Sequence, residues 1–184
     1  MKKKPYFCLI LSLGLSACDR VDSIKSHYEE KPQILLNANS IVVTRDFNTY
    51  SKLPESDKLF SSGLAQSIEK WAKVRLRPHG KSGMAQLAIQ DASIIELPNP
   101  HNPEEIVGRL DVILTLHNKT GDVLSVAEAQ IRQKVLAPIN VTEKELKVLM
   151  QSLITKLVDE LDREIEGILL RMAKVTHKSI KRIK

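Results

Sequence analysis

The sequence predicts an α+β domain, a mostly antiparallel sheet of about four strands with two helices packed on one face. The expected order is strand, helix, strand, strand, strand, long helix. Three observations carry this. Apolar residues at helical spacing run from Leu146 to Met172, a stripe of about seven turns at 3.6 residues each. A shorter stripe at the same spacing joins Phe60, Leu64, Ile68, Trp71 and Val74. Between the two stripes, apolar and polar residues alternate with the period of strands on both sides of a turn-rich joint.

The elements follow in order. Ser40 to Phe47, with Ile41, Val42 and Val43, is rich in β-branched residues and reads as a first strand that Ile34, Leu35 and Leu36 begin. Asn48 to Asp57, with Pro54, reads as a loop. The first helix starts near Lys58 and is stopped by Pro78 and Gly80. Met84 to Leu97 reads as a strand with an irregularity near Asp91, and the prolines of Asn99–Pro103 make the next segment a loop. Leu110, Val112, Leu114 and Leu116 alternate with Asp111, Ile113, Thr115 and His117. With Val123 to Val135 they predict a hairpin across Asn118–Asp122. Thr142, with Glu145 three residues on, forms the pattern of a capping box that opens the long helix.

Before this domain lie Lys2, Lys3 and Lys4, an apolar stretch from Tyr6 to Leu15, and small residues ahead of a cysteine, the plan of a secretory signal. The apolar stretch is far shorter than the roughly 20 residues that a helix needs to cross the hydrocarbon core. Leu15-Ser16-Ala17-Cys18 resembles the lipobox of bacterial lipoproteins. The resemblance implies a cleaved signal over 1–17, a diacylglyceryl group on the Cys18 thiol and an acylated new amino terminus. It makes Cys18 an anchor and leaves no thiol for catalysis or metal binding, since Cys8 falls inside the signal. Asp19 resembles the residue that retains enterobacterial lipoproteins in the inner membrane. The expected location is therefore the inner membrane, facing the periplasm, in preference to the outer membrane.

Residues 18–33 are polar and mixed in charge, the composition of a flexible tether. A single domain then spans 34–173, followed by a basic tail over 174–184. Removing the three lysines of the signal lowers the formal charge from +6 to +3, so the basic balance of the whole chain is no argument for nucleic acid. In the tail, Lys174, Lys178, Lys181, Arg182 and Lys184 complement the dipole at a helix end. Contact with anionic lipid is their alternative role, each cation being worth about 1 kcal/mol near such a surface.

Trp71, Ala72, Arg75 and Leu76, followed by Ile89, Asp91, Ala92 and Ser93, resemble the Trp-Ala-x-x-Arg-Leu and Ile-x-Asp-Ala-Ser segments of uncharacterised alphaproteobacterial envelope lipoproteins. In its order of elements alone the chain is similar to auxiliary lipoproteins of ABC-type transport systems. Neither resemblance implies a chemistry.

Nor do the residues. Gly80-Lys81-Ser82 lacks the first glycine of a P-loop, Arg75 standing in its place, and it joins a helix to a strand. His27, His79, His101, His117 and His177 are scattered without the spacing of metal ligands. Asp91, Glu96 and Asp111 approach across neighbouring strands, but acid–base work needs a pocket that raises one pKa. Asp91, Arg75 and Arg109 could share a polar network at one end of the sheet. No serine sits in a nucleophile elbow. The expectation is a non-enzymatic accessory lipoprotein of the cell envelope, without a cofactor beyond its covalent lipid. It is bound to the membrane through Cys18 and docked to an envelope complex through its sheet edge or long helix. The alternative is a module that holds lipid or another amphiphile between helices and sheet.

Overall fold

In a computed structural model of the chain, residues 26–46, 55–97 and 105–181 are described, with side chains over 26–46, 57–97 and 105–173. A short 3-10 turn, His27–Glu30, leads into β1 (Ile34–Leu36) and β2 (Ser40–Arg45). Helix α1 (Glu55–Arg75) runs directly into β3 (Leu76–Pro78). The long strands β4 (Met84–Leu97), β5 (Glu105–His117) and β6 (Val123–Leu136) precede α2 (Glu143–Lys181).

The single sheet of about four strands expected from the pattern is overturned. Among the described residues six strands form two sheets, a four-stranded one in the order β2-β4-β5-β6 and a separate pair β1-β3. Ile34–Leu36 does not begin the first strand of the main sheet. It pairs in parallel with Leu76–Pro78, residues that the prolines and glycines after α1 had assigned to a helix stop. The physical reason is the turn at Asn37-Ala38-Asn39. The Ala38 N–H donates to the Leu36 carbonyl at 2.8 Å and the Gly80 N–H to the Ala38 carbonyl at 2.9 Å, which breaks the run and ties its two halves to different partners. Gly80 permits this approach, because a Cβ there would stand 2.5 Å from the Ala38 nitrogen. Strands of three residues are too short to display a period.

In the main sheet β2 and β4 are parallel, since α1 carries the chain back across the sheet between them. β4, β5 and β6 are antiparallel, and the register slips between Ile89 and Asp91, where the sequence predicted an irregularity. Gly83, at φ +82°, starts β4 against the end of β5, and a Cβ there would meet the His117 carbonyl oxygen at 2.3 Å. The capping box forms as expected: Thr142 N–H donates to Glu145 Oε2 at 2.9 Å and Glu145 N–H to Thr142 Oγ1 at 3.3 Å.

The alternation along β4, β5 and β6 sends Leu87, Ile89, Ile94, Ile106, Leu110 and Leu114 to one face, where all are buried. Leu64, Ile68 and Trp71 of α1 and Leu157, Leu161 and Ile165 of α2 pack with them in one core cluster. Each such side chain stabilises the fold by roughly 1.5–3 kcal/mol relative to exposure. α2 packs over Gly108, where a Cβ would lie 2.5 Å from Leu157 Cδ1. Beyond the end of β2, the Ile94 N–H donates to the buried Ser61 hydroxyl of α1 at 2.9 Å. The opposite face of the sheet carries Arg109, Glu128, Gln130 and Arg132, all exposed.

Candidate functional site

The lipid anchor and the sorting residue of the sequence reading, Cys18 and Asp19, lie outside the described residues. α2 carries the backbone of Lys174, Lys178 and Lys181, but their side chains, together with Arg182 and Lys184, also lie outside. Among the described residues no three His, Cys, Asp or Glu side chains converge as metal ligands.

Asp91 and Asp111 do meet, as opposite residues of β4 and β5 on the open face of the sheet, whereas Glu96 stands several residues away, opposite Ile106. One oxygen of each aspartate is buried without a hydrogen-bond partner. Burial, then Glu128 and Asp91 nearby, push the Asp111 carboxyl above the ordinary aspartate range. The depression they line with Arg109, Gln130 and Arg132 is open to solvent, about 460 Å³ in volume. It presents charges of both signs and no Ser, Thr, Cys or Lys side chain.

The expected network of Asp91, Arg75 and Arg109 does not form. Asp91 faces away from the helices, while Arg75 lies one turn after Trp71 on the face of α1 that meets α2, and there it is 0% exposed. Its Nε donates to Asp162 Oδ1 at 2.5 Å, and the Trp71 indole N–H donates to the same oxygen at 2.9 Å. Lys31 Nζ completes the set from outside, 2.8 Å from Asp162 Oδ2. Glu166, one turn further along α2, sits 3.3 Å from Arg75 Nη2, yet neither Nη atom makes a hydrogen bond. Burial drives the Asp162 carboxyl upward, but the hydrogen bonds from Arg75, Lys31 and Trp71 outweigh it and hold the group below the ordinary range. The hydrogen bond that Lys31 donates to Asp162 in turn raises its ammonium above the usual value.

Sequence reasoning missed Asp162. Its signal was present: an acid between Leu161 and Ile165 of the long stripe, four residues from Val158 and from Glu166, with Trp71 and Arg75 at the matching spacing on α1.

The same cluster receives the segment that precedes β1. Tyr28 is buried against both helices, His27 N–H donates to Asp159 Oδ1 at 3.1 Å, and Lys70 pairs with Glu29 at 2.6 Å. Residues 26–31, counted with the tether on composition, are thus bound to the helix layer. Because Lys31 and Asp162 meet there, the stability of the domain should depend on pH at both ends of the scale. The Asp162 contribution is full above the ordinary aspartate pKa of about 3.9 and is lost as pH falls through its lower folded value. The Lys31 contribution is full below the ordinary value of 10.5 and is lost as pH rises through its higher folded value. Melting temperature against pH should therefore fall at both extremes in the wild type. In Lys31→Met the alkaline fall should shrink, and an unchanged alkaline limb would show that the contact contributes nothing.

The third feature is an edge. β2 and β6 are the outer strands of the main sheet, but β2 has six residues and β6 has fourteen. α2 packs on the inner face of β6 and leaves its outer side chains exposed from Val126 to Leu136. Leu124, at 60% exposure, and Leu136, at 59%, stand near its two ends.

No protein-family description matches the chain, and no curated protein does. Among solved structures, the chain is similar to a minor lipoprotein from Acinetobacter baumannii, at 12% identity over 73% of this chain and 94% of that one, with a TM-score of 0.39. It is also similar to rare lipoprotein B from Shewanella oneidensis, at 13% identity over 76% and 100%, with a TM-score of 0.41. A third likeness is to uncharacterized lipoprotein B from Nitrosomonas europaea, at 14% over 83% and 94%, with a TM-score of 0.37. None of these is specific to the alphaproteobacterial or ABC-transport auxiliary groups, and at such scores none carries a statement about function.

Proposed function

We propose that this chain is a membrane-tethered accessory lipoprotein of the bacterial envelope, which acts by docking and performs no chemistry of its own. The long outer edge of β6 carries this reading. An edge strand presents a row of backbone N–H and C=O groups ready to pair with another strand. Here fourteen residues stand at the rim with exposed leucines near either end, which suits addition of a strand.

The signal and Leu15–Cys18 support the tether, with diacylglyceryl and an N-acyl group on Cys18 and membrane lipid as the first partner. Asp19 supports retention in the inner membrane, facing the periplasm. The basic residues Lys174, Lys178, Lys181, Arg182 and Lys184 would add contact with anionic lipid. The resemblance of Trp71–Leu76 and Ile89–Ser93 to alphaproteobacterial lipoproteins belongs to the same reading. The alternative, a carrier of amphiphiles, needs room between helices and sheet. Leu64, Ile68, Trp71, Leu110, Leu157 and Leu161 fill that space at 1% exposure or less, which counts against it.

The test is photo-crosslinking in intact cells, with a benzophenone side chain placed at Arg132 on the edge and, as a control, at exposed Lys147 on α2. Docking predicts adducts from the edge position that weaken in Cys18→Ala, where the chain is no longer held at the membrane. Equal or absent adducts at both positions would remove the reading.

A further inference from the structure

We infer that the partner strand at the β6 edge is β6 of a second copy of this chain, paired antiparallel about a two-fold axis through Gln130. This rests on the docking reading above and names its occupant.

The argument is the order of side chains along the edge. The exposed residues of β6 alternate, and Glu128 and Arg132 stand at equal distances on either side of Gln130. In an antiparallel pair centred on Gln130, Glu128 of each copy faces Arg132 of the other, twice over, and the two Gln130 amides face each other. Opposite charges directly across a strand pair are favourable and like charges unfavourable. The strand that complements this edge must therefore show an anion and a cation in reversed order at the same spacing. β6 read backwards does so.

Further out, the register sets Val126 opposite Lys134. Leu136, exposed at 59%, and Leu124, exposed at 60%, lie near the two ends of the paired segment, Leu124 at the irregularity in the β5–β6 register. On the inner face, Ala127 and Ala129 face Gln133 and Ile131, small against larger. Glu128 is already oriented within its own chain, accepting a hydrogen bond from Gln130 Nε2 at 2.8 Å. A two-fold contact in which one patch meets itself is the commonest form of oligomer among soluble proteins.

The register makes the inference testable residue by residue. Opposite Cβ atoms in an antiparallel pair are about 4.5–5.5 Å apart, near the separation that a disulfide spans. A cysteine in place of Gln130 should therefore link to itself under mild oxidation of membranes carrying the full chain, giving a band of twice the mass that reductant removes. Glu128→Cys and Arg132→Cys should not do so alone, because each is offset from its own copy by about 13 Å, four residues at 3.3–3.4 Å per residue. Combined in one chain, they should link. The parent chain, with Cys8 and Cys18 only, sets the background.

Sedimentation of the full chain in detergent gives a second measurement that needs no new thiol. Glu128→Arg, which sets two cations across the axis twice, should weaken the dimer about tenfold or more, roughly 1.4 kcal/mol. Glu128→Arg with Arg132→Glu should restore it. A Gln130→Cys chain no more linked than the parent, or a double charge swap that fails to recover, would overturn self-pairing. If edge benzophenones then still give adducts of another mass, docking stands with a different partner. If they give none, both readings fall together.

Discussion

Replacing Asp162 by alanine is expected to destabilise the domain by about 3–5 kcal/mol, the loss seen when one member of a buried ion pair is removed and the other stays behind. The reason is Arg75. Its side chain is 0% exposed and cannot lose its proton at any ordinary pH, so without the carboxylate the fold must hold an uncompensated cation. Two of its nitrogens already lack hydrogen-bond partners, and Asp162 accepts the hydrogen bond of the third. Glu166 stands close but is about one-third exposed, where water screens its charge. Urea titration should show a lower midpoint at an unchanged slope. The pair itself is a different quantity. With Arg75→Met and Asp162→Leu made together, apolar groups of similar bulk replace both charges, and the double variant should lose less than Asp162→Ala alone. If the single variant lost under about 1 kcal/mol, the range of exposed pairs, the burial argument would be wrong.

What the residues disclosed in advance depended on length and period. α2 and the β5–β6 hairpin were legible because a long amphipathic stripe and a long alternation each repeat enough times to be distinguished. The capping box was legible because its two residues contact one another within a single turn. The β1-β3 pair was not, since three residues such as Ile34–Leu36 show neither period, and their partner lies on the far side of α1. Arg75 illustrates the same limit for the site. Its burial could be anticipated from Trp71 and Ile68 at helical spacing, but its counter-charge is 87 residues away, and no local rule links Arg75 to Asp162 in preference to Asp91. A polar residue on an apolar stripe implies that a partner exists. Only the packing of α1 on α2 says which one.

Trp71→Ala should bring a loss of comparable size, about 3–5 kcal/mol for deletion of a buried aromatic side chain, and it combines two contributions, core volume and a hydrogen bond to Asp162, that Trp71→Phe separates. Trp71 is 0% exposed and lies in the core cluster with Leu64, Ile68, Leu157 and Leu161, so alanine leaves a cavity that closes only as far as the two helices can approach. Trp71→Phe keeps much of the volume and removes the indole N–H. That group donates to Asp162, an ionised acceptor, and such a bond contributes about 1.5–3 kcal/mol. Phenylalanine should therefore fall between wild type and alanine in urea midpoint followed by far-ultraviolet circular dichroism. A phenylalanine variant as stable as wild type would mean that Lys31 and Arg75 satisfy Asp162 without the indole. Trp71 would then act through its volume alone. A phenylalanine variant as unstable as alanine would instead make the hydrogen bond the main contribution, and would tie the helix pair to Asp162 more tightly than packing does.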